Sequence, residues 1–103
     1  LSMKYPVFDL HCDTAMKLVG EQYDRINNLR DNTYHVDLER AKSFPGFAQC
    51  FACYTSTLEK RISPHEFFYR QYNRITQEIE NNSDCIAFAY NAADIERNFL
   101  KNL

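Results

Sequence analysis

Only two glycines and three prolines occur among the 103 residues, too few for a linker-like or disordered chain. No apolar run approaches the roughly 18–20 residues that a membrane-spanning helix needs. No cluster of Lys and Arg stands out, and a net charge of −2 leaves no electrostatic case for a nucleic-acid partner. A secretion signal is missing as well. Leu1 to Leu10 carries Lys4, Pro6 and Asp9 where such a segment needs an unbroken apolar stretch. Leu1-Ser2, ahead of Met3, reads as a remnant of a cloning tag. What is present is ordinary globular composition, 45% hydrophobic and 25% charged, with seven Tyr and eight Phe as bulky core material. By length the chain is one small domain or part of a larger one.

Four cysteines invite a metal or disulfide reading. Cys50-Phe-Ala-Cys53 is formally C-x-x-C, but it sits inside the strand-like run Phe47 to Tyr54, with no turn residue between the thiols. On a strand, positions i and i+3 face opposite sides, so the two do not chelate one ion. A redox C-x-x-C opens a helix, where the dipole lowers the thiol pKa. Buried free thiols in a reducing, cytoplasmic setting are the expectation.

Along the chain, Tyr5 to His11 is short, apolar and Pro-flanked, and reads as a strand. Asp13 to Val19 begins a short helix that Gly20 closes. Glu21 to His35 is polar and aperiodic, a long surface loop of the kind often tied to function. Val36 to Ser43 suggests a brief helix capped by Asp37, and Pro45-Gly46 precedes the buried strand Phe47–Tyr54. Ser63-Pro64 with Glu66 forms a capping box. Phe68, Tyr72, Ile75 and Ile79 then recur at i, i+4, i+7 and i+11, giving one apolar face to a helix over Pro64–Asn81. Cys85 to Tyr90 reads as a third apolar strand. Asn91 caps a last helix with Ile95, Phe99 and Leu103 four apart, expected to be helical still at the chain's end.

Strand, loop and short helix, strand, helix, strand, helix is repeated βα, which implies a parallel sheet with helical crossovers. The strands are apolar on both faces, as buried parallel strands are. Three such units cannot close an eight-stranded barrel, which takes roughly 200–250 residues. A free three-stranded sheet would expose two apolar edges. The chain is therefore expected to be part of something larger.

Asp9-Leu-His11-Cys-Asp13 is the constellation with chemistry in it. Period two puts Val7, Asp9, His11 and Asp13 on one strand face, with His11 and Asp13 at the C-terminal end, where α/β barrels carry their catalytic groups. Side chains two residues apart sit about 6–7 Å apart at Cα, given a rise of ~3.3 Å. An imidazole and a carboxylate converge from there on an ion about 2.0–2.2 Å from each. The bland alternative is a His and an Asp hydrogen-bonded at a strand end. Asp9 either hydrogen-bonds His11 from behind, fixing its tautomer, or is a buried strand-end acid held by backbone N–H groups. Gln49 shares a face with Phe47 and Phe51, pointing either into a barrel or outward to a hydrogen bond. His35 follows the polar loop and could approach the site; His65 at a helix start reads as a surface residue.

Phe8-Asp-Leu-His-Cys-Asp-Thr14 resembles the opening of the membrane (renal) dipeptidases, peptidase family M19 of the amidohydrolase superfamily, which begin with a strand ending in H-x-D-x-P/T. His35-Val-Asp-Leu-Glu-Arg-Ala-Lys42 is similar to that family's H-x-D-L/I-x-R/K segment, and Pro45 to Tyr54 to its G-h-x-x-Q-h-F-x-x-Y strand. Ala92-Ala-Asp-Ile95 falls where the family has a helix before its third functional strand. The resemblance spans residues 5 to 103. It implies an α/β chain forming the N-terminal βα units of a single (β/α)8 TIM-barrel hydrolase domain over residues 1–103. It further implies a zinc metalloprotease of the dipeptidase type, hydrolysing dipeptides by metal-activated water. His11 and Asp13 carry over as ligands of one zinc, with two zinc ions expected in the complete enzyme.

The family's bridging Glu, its two later His ligands, its acid/base Asp and its substrate-binding Arg are expected beyond Leu103. Glu96, on a helix, is no substitute. The chain alone is thus expected to be inactive, its partners being a dipeptide and the remainder of the barrel, from the same gene or a second fragment; a homodimer stays open. Two other readings remain at this stage. One is a barrel amidohydrolase acting on another amide or ester. The other is a non-catalytic α/β module that binds a partner through its sheet edge.

Overall fold

The computed structural model describes residues 4–19, 27–55 and 62–103. Gly20, residues 21–26 of the expected polar loop, and Leu1-Ser2 lie outside them. The elements are strand β1 (Val7–Cys12), helix α1 (Thr14–Leu18), helix α2 (Leu38–Ala41), strand β2 (Phe47–Phe51), helix α3 (Pro64–Asn81) and helix α4 (Ala92–Leu100). The result is a mixed α/β arrangement around a two-stranded parallel sheet. Among the described residues no helix is long and apolar enough to cross a membrane.

Helix starts follow the local chemistry. Ser63 Oγ accepts from Glu66 N, with Pro64 in the first turn. Asn91 Oδ1 accepts from Asp94 N and starts α4, and Asp37 Oδ1 accepts from Arg40 N and starts α2. These caps meet backbone donors that have no partner inside the helix. The last helix does not run to the chain's end. Asn102 adopts φ 62°, its N–H reaches Phe99 O at 3.1 Å and Leu103 N reaches Asn98 O at 2.9 Å. That pair of bonds is a Schellman motif, with Asn taking the left-handed position that Gly usually fills.

The α3 stripe is rotated from the expected one. Ile75 and Ile79 are buried, but so are Gln71 and Glu78, whereas Phe68 and Tyr72 are 42% and 51% exposed. Polar side chains with local partners claim the inner face: Gln71 Nε2 donates to Tyr54 O at 2.7 Å, and Glu78 Oε1 accepts from Arg74 at 2.9 Å. Arg74 also donates to Leu18 O at 3.2 Å, tying the end of α1 to α3. The core beside this tie is Ala15, Leu18, Leu29, Leu38, Ile75 and Ile79.

Cys85–Tyr90 is not a third strand. Its backbone groups are committed elsewhere. Cys85 N and Ile86 N both donate to Asn82 O, Asn98 Nδ2 takes Phe88 O, and Asp94 Oδ2 takes Tyr90 N. Those four groups are not offered to a ladder on β2. Phe88 and Tyr90 stack on each other, exposed, with ring centroids 6.0 Å apart. The described residues therefore hold one parallel β pair rather than three βα units, and form no barrel.

The aperiodic segment from Asn27 to Val36 is knit by side chains. Asn27 Oδ1 accepts from Thr33 N, Asn32 Oδ1 from Tyr34 N, and Asn32 Nδ2 donates to Asn28 O and Val36 O. Leu29 is wholly buried, and the Leu29 and Arg30 carbonyls accept from Leu38 N and Glu39 N at 3.0 Å each. Asp37, 2% exposed, accepts from Asn32 N, Arg40 N and Arg40 Nε. The Asp37-Leu-Glu-Arg40 stretch is thus the fastening of this loop to α2.

Candidate metal centre

β1 and β2 pair in the register Val7↔Phe47, Phe8↔Ala48 and Asp9↔Gln49, and resume at Cys12↔Phe51. Three steps on β1 match two on β2, so β1 carries an extra residue between Asp9 and Cys12, the signature of a bulge. Burial records it: Leu10 is 73% exposed and the His11 side chain 64%, neighbours on one side, while Cys12 is 6% exposed. Strict alternation would have set Asp9 and His11 on a common face. With the bulge, Asp9 shares its face with Cys12, and His11 shares the opposite one with Asp13.

His11 Nε2 and Asp13 Oδ1 lie 3.0 Å apart at the C-terminal end of β1, their side chains 64% and 44% exposed. A carboxylate oxygen accepts only, so Nε2 is the donor in this contact. Asp13 also stands at the N-cap of α1, yet its side chain makes no capping bond there. The carboxylate is left to His11. Cys12, between the two in sequence, is 6% exposed, and burial pushes its thiol up from its ordinary range.

Asp9 meets Gln49, not His11. Gln49 Nε2 donates to Asp9 Oδ2 at 2.6 Å and to Cys50 O at 3.1 Å, with Asp9 O at 3.5 Å. Gln49 Oε1 is buried without a partner, a loss of about 1–3 kcal/mol. This contact was missed in the sequence. Its signal, two polar residues at matching depth in adjacent strands, needs the register before it can be seen.

The other candidates stand apart from the pair. The His65 ring packs edge-on against Tyr69, centroids 4.8 Å apart, on α3. His35 is exposed beside the 27–37 turn. Glu96 is exposed on α4. Among the cysteines, Cys50 is exposed, contrary to the buried-thiol expectation, because β2 turns it outward; Cys53 follows the strand and packs toward the core. Among the described residues no group of three or more His, Cys, Asp and Glu converges to hold a metal ion. His11 and Asp13 bring one imidazole nitrogen and one carboxylate oxygen together, a donor set that suits zinc and amounts to part of a coordination shell.

A family model described as membrane dipeptidase, peptidase family M19, matches residues 1–102. No curated protein matches the chain significantly, and no solved structure does.

Proposed function

The chain belongs to the membrane dipeptidase family, whose members are dipeptidase-type hydrolases, and from that premise we propose that it supplies the first two zinc ligands, His11 and Asp13, of a zinc-dependent dipeptidase. The observation that carries this reading is the 3.0 Å approach of His11 Nε2 to Asp13 Oδ1 at the C-terminal end of a parallel strand. In this reading residues 1–103 are the N-terminal part of a (β/α)8 barrel, and the β1–β2 pair is its opening βαβ unit. Phe8 and Leu10, apolar and 56% and 73% exposed on β1, suit cover by the rest of such a barrel. Further strands bring the remaining ligands and the second zinc.

When bound, zinc supplies Lewis-acid polarisation of a scissile carbonyl and activates water for attack on it. What this chain does is hold the first two donors. Asp13 keeps the His11 ring turned toward it, so the two side chains are oriented before a cation arrives, which lowers the ordering cost of binding. A cation held by Nε2 would require the tautomer that carries its proton on Nδ1, with the Asp13 carboxylate oxygen turned to the ion instead of to the ring. Cys12 is buried where His11 and Asp13 are exposed, so it packs inward, away from the pair.

The test is hydrolysis of simple dipeptides by the complete protein containing this segment, before and after removal of metal by a chelator and after return of zinc. Activity should vanish with chelation, return with zinc, and be lost in His11→Ala. Full activity in metal-free protein, or in His11→Ala, would overturn the proposal.

A further inference from the structure

We propose that Gln49 is a positioning residue for the His11–Asp13 pair, fixing where β1 slips its register so that His11 emerges beside Asp13. The inference rests on the reading of His11 and Asp13 as metal ligands, and goes beyond it by naming what aims them.

The side-chain amide of Gln49 sits at the last regular rung of the sheet, Asp9↔Gln49, one step before the extra residue of β1. From β2 it crosses to β1, donating to the Asp9 carboxylate at 2.6 Å, and binds back to its own strand at Cys50 O, 3.1 Å away. It therefore staples the two strands where the ladder is about to be interrupted. A bulge lets a strand choose which side its next residue faces. Moved one residue later, the slip would pair His11 with Cys12 on the buried side instead of with Leu10 on the exposed one, because side chains alternate outside the doubled pair. His11 would then give up its exposed place and Asp13, next after the doubled pair, would face the other way. Gln49 keeps this post although its Oε1 is buried and unpartnered, which points to its nitrogen as the useful end. Gln49 touches neither His11 nor Asp13 among its hydrogen bonds; it acts through Asp9 and the backbone.

Gln49→Leu shortens the side chain by one atom, places an apolar group in the half-buried position and removes every bond that the amide donates. Two readouts are taken on the complete protein containing this segment. The first is metal-free NMR of the Leu10–Asp13 amides and the His11 ring. The wild type should give one set of signals. Gln49→Leu should give doubled or shifted signals for these residues while Ile75 and Ile79, in the α3 core, stay in place. The second is titration with zinc alone, where Gln49→Leu should weaken binding by about tenfold or more, the scale of losing a ligand's supporting contact. Ser63→Ala, which removes a distant helix cap, is the stability control and should leave both readouts unchanged. Should Gln49→Leu fail to fold, Asp9→Asn, which keeps the shape but removes the charge on the acceptor, should shift the same signals and weaken zinc several-fold.

Unchanged Leu10–Asp13 signals with unchanged zinc affinity in the variants would overturn the proposal. A zinc loss matched by Ser63→Ala would overturn it too, since it would report stability only. If the wild type binds no zinc at His11, the ligand reading fails, and the metal-free spectra still decide whether Gln49 sets the register.

Discussion

Replacing Asp37 with Ala should be among the most damaging single changes available away from the candidate metal centre. Its carboxylate is 2% exposed and accepts three hydrogen bonds, from Asn32 N at 3.1 Å, Arg40 N at 2.8 Å and Arg40 Nε at 2.9 Å. Loss of the α2 cap costs about 1 kcal/mol. The buried Asn32 N–H, left without an acceptor, adds about 1–2 kcal/mol. The Arg40 side chain is 52% exposed, so its ion pair is discounted to about 0.5 kcal/mol. Together these predict a loss of about 2.5–3.5 kcal/mol for Asp37→Ala. Asp37→Asn keeps an acceptor for Arg40 N but presents an amide donor toward Asn32 N, and should lose about half as much. Urea unfolding followed by circular dichroism measures both. With a slope of about 1 kcal/mol per M, the alanine midpoint should fall by roughly 2.5–3.5 M. A loss below about 1 kcal/mol would refute the reasoning, since it would mean that solvent replaces all three bonds.

Other outcomes follow from the same structure. Gly46→Ala would set a Cβ 2.7 Å from the Phe99 ring, a clash that the ring must shift to relieve. It should destabilise by about 1–3 kcal/mol, and adding Phe99→Leu should return part of that in the same urea titration. The Arg30 guanidinium holds the Asp84 carboxyl below its usual range. A depressed folded-state pKa means the contribution is present above the ordinary carboxylate range and is lost as pH falls through the lower folded value. Amide protection at Cys85 and Ile86, next to this pair, should therefore drop below about pH 4 in the wild type, and show no such drop in Asp84→Asn. Burial raises the Cys12 thiol while Cys50 lies exposed. Timed alkylation read by mass spectrometry should label Cys50 first and Cys12 last; the reverse order would contradict the bulge that tucks Cys12 under.

Local signals carried far in this chain. The Ser63 cap and the periodicity after it set the bounds of α3, because cap and stripe depend only on neighbours three to four residues apart, although the Glu66 carboxylate pairs with Arg70 instead of closing a capping box. Asp37 and Asn91 were legible as caps for the same reason. Cys85–Tyr90 was not, because an apolar run that looks like a strand becomes one only if its backbone groups are free. Here Asn82, Asp94 and Asn98 claim four of them. The α3 face shows a similar override: Gln71 and Glu78 enter the core because Tyr54 O and Arg74 await them. At the candidate centre, the H-x-D spacing put His11 and Asp13 on one face, and their 3.0 Å hydrogen bond is the contact that the metal-ligand and the strand-end readings share. Assigning Asp9 to the same face failed on one inserted residue, since a bulge is a property of a pair of strands and no single strand's pattern reveals it.

The central claim is that His11 and Asp13 hold zinc, and crystals of the zinc-loaded protein measure it directly through anomalous scattering at the zinc absorption edge. An anomalous peak should lie about 2.0–2.2 Å from His11 Nε2 and an Asp13 carboxylate oxygen, and should disappear in Asp13→Ala. A peak at the thiols of Cys50 or Cys53 instead, or none near His11, would contradict it.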